Sequence, residues 1–174
     1  MIRLSRESNI YRQIFVAAIV LLPMVIYADD TIPVTSERLL KTGQELVQKG
    51  QYLEALDLLE EARDILETNR PPQTAVYADV LFTLAETKIK GRLHQNFSAH
   101  YVKTALQDIQ SANKLRERLP ETIPQRLAEG YYLEGYIQKR FFMRTDQARS
   151  CFERAKSVDP GFAAAKRELS ELVP

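Results

Sequence analysis

One short pattern occurs three times in this chain and limits what it can fold into. It is an alanine, a large apolar residue four positions later, and a second alanine three positions after that. The copies are Ala55, Leu59 and Ala62 in YLEALDLLEEARDIL, then Ala105, Ile109 and Ala112, then Ala148, Phe152 and Ala155 in DQARSCFERAKSVDPGF. Spacings of four and three place all three side chains on one face of a helix. The two small residues let a second helix approach closely, and the large one fills the groove between them. Each copy therefore needs a partner helix.

The sequence supplies those partners. Apolar residues at helical spacing predict helices over 36–49, 52–68, 75–90, 98–119, 125–142, 147–158 and 163–172. Gly50, the run Asn69–Gln73, Gly91, the segment 119–124 and Asp159-Pro160-Gly161 punctuate them. No run of alternating polarity is long enough for a strand. The helices fall into three pairs, each with a triad in its second member. A pair alone leaves an apolar face bare, and stacking the pairs buries it.

This arrangement resembles the tetratricopeptide repeat (TPR), a 34-residue helix–turn–helix unit. The third pair matches best, with EGYYLEGY, the triad Ala148, Phe152 and Ala155, and Pro160 at its end. The first pair carries Gly43, Gly50, Tyr52, Ala55 and Ala62, with Leu59 where an aromatic is usual. The second pair departs most. Leu84-Ala85 stands for Leu-Gly, and GRLHQNF lengthens the turn, so the first alanines of the triads are 50 and then 43 residues apart. The resemblance implies an all-α, TPR-like α-solenoid with repeats at about 36–70, 75–119 and 125–160, closed by a capping helix over 163–172. It spans Ser36 to Leu172. The stretch GRLHQNFSAH is expected to be a mobile excursion outside the stacked core, with Leu93 and Phe97 as the residues that would staple it down otherwise.

The N-terminus is of a different kind. Arg3, Arg6 and Arg12 precede an uncharged apolar run from Phe15 to Ala28, followed by Asp29 and Asp30. That is the pattern of a secretory signal peptide over 1–28, with cleavage between Ala28 and Asp29 and a linker over 29–35. An uncleaved anchor is the alternative, but the run is shorter than the ~20 residues that span a bilayer and contains Pro23. The expectation is an exported protein, periplasmic or secreted, with no membrane span in the mature chain.

Signals for chemistry are sparse. The lone Cys151 excludes an internal disulfide framework, and His94 and His100 lack companions for a metal site. No phosphate loop, nucleophile elbow or paired-carboxylate motif is present, so the reading is of a non-enzyme with no cofactor and no metal. The formal net charge of +1 gives no footprint for nucleic acid. Charge is nevertheless uneven. Residues 29–87 carry 5 basic and 12 acidic side chains, whereas 88–156 carry 14 basic and 7 acidic.

Binding is the function these features leave. The resemblance implies a concave surface lined by the first helix of each pair, which recognises a peptide or partner protein. Carried onto this chain, that surface comprises Gln44, Val47, Phe82, Glu86, Tyr132, Tyr136, Lys139 and Arg140. The carboxylate-clamp form of the family is not expected, because the first pair offers Leu40 and Gln44 there. Arg144 extends the cationic end of the fifth helix, and Lys88, Lys90 and Arg92 form a similar run at the end of the third, which predicts a basic edge for an acidic partner segment. The alternatives are a structural or assembly subunit of an envelope machine, or a carrier of an apolar small ligand near Phe141 and Phe142.

Overall fold

The computed structural model describes residues 34–68 and 74–172. The proposed signal segment, the Ala28–Asp29 junction and the Asn69–Gln73 break lie outside the described residues. Among those described there are seven helices and no strand. They are α1 (34–48), α2 (Tyr52–Thr68), α3 (Ala75–His94), α4 (Ala99–Arg116), α5 (Pro124–Phe142), α6 (Thr145–Val158) and α7 (Ala163–Glu171).

Local chemistry sets the ends. α1 stops where Gly50 adopts φ +76° and its N–H bonds to the carbonyl of Val47, while Gln51 N–H reaches Leu46. Glycine takes that left-handed conformation at no steric cost. Thr74 caps α3 by accepting a hydrogen bond from the N–H of Tyr77. α5 opens on Pro124, whose missing donor is no loss in a first turn.

The triads do what their spacing predicts. All nine side chains are buried: Ala55, Leu59 and Ala62, Ala105, Ile109 and Ala112, Ala148, Phe152 and Ala155. Gly43 faces Leu59, and Gly135 faces Phe152. A methyl group on Gly43 would lie 2.8 Å from Leu59 Cδ2, and one on Gly135 would lie 2.6 Å from Phe152 Cε1. Ala85, fully buried, holds the corresponding place in the second pair. Burying a side chain such as Phe152 is worth roughly 2–3 kcal/mol.

Three apolar clusters run along the array. The first joins α1 and α2 to Val80 and Leu84 of α3, the second joins α3 and α4 to Ile137 of α5, and the third joins α5, α6 and Ala165 of α7. Each cluster borrows residues from the next pair, which is how stacked repeats close their apolar faces.

The second pair differs from expectation. α3 does not end at Lys90 but continues through Gly91 to His94. The turn that follows is not an excursion. Phe97 folds back onto Gly91, so that a methyl there would sit 2.5 Å from Phe97 Cδ2 and 2.8 Å from Cζ. Arg92 Nη1 donates to Phe97 O at 2.9 Å, and Gln95 Nε2 donates to Gly50 O at 2.9 Å. His94 stacks on Tyr52 with ring centroids 6.0 Å apart. Phe97 packs against the first cluster while Gln95, Asn96 and Ser98 stay exposed, so one ring ties an otherwise exposed turn to the core. Leu93, in contrast, is 43% exposed. Gly91 leaves room for the ring, and that packing outweighs the ~1 kcal/mol cost of glycine inside a helix.

Candidate binding surface

The first helices of the pairs, α1, α3 and α5, present the surface on which the sequence places recognition. Its residues have different fates. Val47 is buried in the first cluster, because α1 turns it inward, and it is a core residue. Gln44 is half-buried and its Nε2 lies 3.5 Å from Thr83 Oγ1 on α3. Phe82 lies under the guanidinium of Arg116, 4.9 Å from its ring centroid. Glu86 pairs with Lys90 one turn along at 2.8 Å. These residues tie α1, α3 and α4 together more than they offer free groups.

The α5 end is different. Tyr136, Lys139 and Arg140 line a cavity of about 320 Å³ together with Met143 and Glu168. Tyr136 makes an edge contact with Phe141, with centroids 6.4 Å apart. Tyr132, one turn earlier, is held between the rings of Phe152 and Phe162 at 5.8 and 5.7 Å. Burial pushes its hydroxyl pKa up, and the nearby Glu168 carboxylate adds to this. Tyrosines here offer apolar area and a hydroxyl at low entropy cost.

Lys139 is already committed. Its Nζ lies 2.7 Å from Glu168 Oε2 and 3.2 Å from Glu171 Oε2, both on α7. The hydrogen bond to Glu168 holds its pKa above the ordinary lysine range. Arg140 and Arg144 remain exposed, and the Arg144 guanidinium rests over Phe142 at 5.1 Å. The structure thus brings Tyr136, Lys139 and Arg140 to one cavity, and it leaves Gln44, Phe82 and Glu86 on other stretches of the same surface.

The expected basic run on α3 needs correction. Lys88 is only 2% exposed, with Nζ 2.7 Å from Asp108 Oδ2 on α4 and 3.8 Å from Glu60 Oε1 on α2. It is an interior tie among three helices, not a surface cation. A similar tie joins the second and third pairs. Arg116, 4% exposed, bonds Asp79 at 2.6 Å and the carbonyl of Arg126 at 2.8 Å. Beside it, Asn113 Nδ2 and Gln110 Nε2 both donate to Glu134, each at 3.0 Å. Burial, with Glu134 nearby, pushes the Cys151 thiol up to about 12. A thiol in that state is a poor nucleophile, as befits a packing residue.

Sequence reasoning missed Met143 and Glu168 at the cavity, and Glu171 as a second partner of Lys139. Met143 follows the last turn of α5 in a left-handed conformation, φ +56°. The visible signal was a large residue directly after Phe141-Phe142 with no glycine to close the helix. Glu168 and Glu171 carried no signal beyond helical spacing on α7.

Comparison with known proteins places the fold. No family model matches the chain, and no curated protein sequence matches it. Among solved structures, the first TPR domain of Spaghetti (RPAP3) bound to the HSP90 peptide SRMEEVD superposes with a TM-score of 0.60 at 19% identity, over 79% of this chain and 90% of that one. The C-terminal TPR-containing domain of a Plasmodium falciparum FK506-binding protein gives a TM-score of 0.60 at 14% identity, over 79% of this chain and 85% of that one. At these identities the likeness establishes the fold alone, an all-α TPR-like helical repeat.

Proposed function

We propose that this TPR-like array is an exported interaction scaffold, which binds a peptide or partner segment along the inner face of α1, α3 and α5. The observation that carries the reading is the cavity at Tyr136, where an aromatic ring, Arg140 and the exposed Met143 converge at the end of that face. An apolar side chain with a carboxylate nearby is the chemistry that fits such a site. The RPAP3 domain, bound to an HSP90 peptide, supports a peptide as the class of partner. SRMEEVD itself is not the expected ligand, because the first pair presents a buried Leu40 and a Gln44 engaged with α3.

Export rests on the N-terminal pattern of arginines, apolar run and Ala28–Asp29 junction. One experiment addresses both parts. The tagged full chain is expressed in a bacterial host and captured from the envelope fraction, with Tyr136→Ala/Arg140→Glu as the control. We expect an intact mass beginning at Asp29, and a co-captured protein that the double variant loses. A chain retaining residues 1–28 would overturn export by cleavage. Co-capture equal for both forms would remove the cavity from the binding surface.

A further inference from the structure

The array has two edges, one made by the turns inside the pairs and one by the connections between pairs. Among the described residues the exposed large apolar side chains are Val34, Leu53, Leu93, Ile123 and Met143. Three of the five stand at the inner turns, one per pair. Leu53 is the second residue of α2 and 56% exposed, Leu93 is in the last turn of α3 and 43% exposed, and Met143 follows α5 directly and is 80% exposed.

These three belong to one edge. The first and second turns touch, through the Gln95–Gly50 hydrogen bond and the Tyr52–His94 stack. The third joins them because Phe141 and Phe142 pack against the cluster that contains Ile89 and Val102, the residues flanking the second turn. The same edge carries Lys49, Arg92, Lys103, Arg140 and Arg144. None of these has a carboxylate within ion-pair distance among the described residues. The acidic groups there are fewer: Glu54 and Asp146 sit in first turns of helices, where the helix dipole favours them, Glu168 and Glu171 are paired with Lys139, and Glu45 is in the last turn of α1. The opposite edge mixes signs, with Glu117, Glu121 and Asp159 beside Arg118 and Arg126.

We propose that the edge formed by the inner turns is a docking surface for an anionic lipid bilayer, with Leu53, Leu93 and Met143 entering the headgroup boundary and the unpaired lysines and arginines meeting lipid phosphates. Leu53 and Leu93 lie off the Tyr136 cavity, whereas Met143 and Arg140 also line it, so the third tip is shared with the end of the peptide face. The occupant follows from how the apolar groups are set out. Each apolar tip comes from a different pair and has an unpaired cation close by in the chain: Lys49 four residues before Leu53, Arg92 next to Leu93, and Arg144 next to Met143. A protein interface needs a contiguous apolar centre that excludes water. A bilayer interface accepts separate apolar tips and draws the cations beside them to its surface. Met143 fits that use. A large exposed side chain in a left-handed conformation adds nothing to the core and puts strain where glycine would avoid it.

The test uses the full chain with an environment-sensitive fluorophore at Leu53→Cys or Leu93→Cys, and at Ile123→Cys on the opposite edge. Cys151 is buried and its thiol is held protonated, so it stays unlabelled. The probes are vesicles of phosphatidylglycerol mixed with phosphatidylcholine, vesicles of phosphatidylcholine alone, and poly-glutamate. We expect a blue shift from both edge labels on phosphatidylglycerol vesicles only. It should fall as salt rises, and binding should weaken roughly tenfold or more in Lys103→Glu/Arg144→Glu. An equal shift at Ile123→Cys, or an equal shift on phosphatidylcholine, would mean that the apolar run Phe15–Ala28 brings the chain to the vesicle, and would overturn the proposal. No shift on phosphatidylglycerol overturns it too. A shift with poly-glutamate and none with vesicles would assign the edge to an acidic protein instead. Neither edge label lines the Tyr136 cavity, so failure here leaves the peptide reading standing.

Discussion

The turns inside the second and third helix pairs join their helices by opposite means. Four residues, 95–98, link α3 to α4, and only Met143 and Arg144 link α5 to α6. Each turn passes through one left-handed residue, Asn96 or Met143, at the same φ of +56°. The longer turn sends its apolar residue inward, where Phe97 covers Gly91. The shorter one sends its apolar residue outward, where Met143 is 80% exposed. Length is therefore a poor guide to whether a turn belongs to the core. What decides is whether the preceding helix leaves room for a ring to return.

The strongest way to break this contrast is to fill that room. Gly91→Val places two methyls where the Phe97 ring lies, and the ring must leave the first cluster or the α3 end must unwind. Overpacking of this kind costs about 1–3 kcal/mol. β-branching in a helix adds little compared with the glycine it replaces. The expected result is a loss of about 2–3 kcal/mol in urea unfolding, or roughly 4–12 °C in Tm for a domain of this size. The counterpart after α5, Met143→Ala, meets no ring and adds no β-branch at the left-handed position, so it should cost far less than Gly91→Val. Equal losses at the two sites would end the distinction between the turns.

Removing the ring is the next largest effect. Phe97→Ala should cost about 2 kcal/mol, below the usual 3–5 for a buried phenylalanine because Phe97 is only half-buried. In the double variant Gly91→Val/Phe97→Ala the valine no longer meets a ring. The two losses should then be strongly non-additive, with a coupling of about 1 kcal/mol or more measured by urea titration. Simple additivity would mean that Phe97 does not rest on Gly91.

The contrast also shows which parts of the molecule the sequence could reveal. Helical spacing is local, so the seven helices, their pairing and the burial of the three triads were all readable from one strand of text. Phe97 was readable only as a candidate staple, because its partner Gly91 looked like a helix stop. Propensity registers the ~1 kcal/mol that glycine costs in a helix and cannot register the ring that glycine admits. Lys88 failed in the same way. It looked like one cation in an exposed run, and its partners Asp108 and Glu60 are on two other helices, where periodicity along α3 carries no information about them. At the candidate surface, the repeat register was enough to place Tyr136, Lys139 and Arg140 together on α5, whereas the carboxylates that hold Lys139 come from α7 and required the packed array.

The smallest effect discriminates most finely between the two turns. Asn96 and Met143 share one backbone conformation, but their side chains do not bear it equally. Asparagine is among the few non-glycine residues that visit the left-handed region routinely, whereas an unbranched apolar residue pays about 1–2 kcal/mol there. Replacing either with glycine removes that strain and adds back the unfolded-state entropy of glycine, about 0.4–1 kcal/mol. For Met143→Gly the strain is the larger quantity, and an 80% exposed side chain gives up almost no burial. The expected outcome is a gain of about 0.5–1 kcal/mol in urea unfolding. For Asn96→Gly the two terms nearly cancel, and the change should stay within a few tenths of a kcal/mol. Measured side by side, the pair isolates what methionine costs its turn. If Met143→Gly is neutral or destabilising while Asn96→Gly is neutral, the methionine side chain supports the end of α5, and its exposure has been misread as freedom. If it stabilises, the chain keeps a less stable residue at that tip, as expected where the side chain serves a contact made outside the fold.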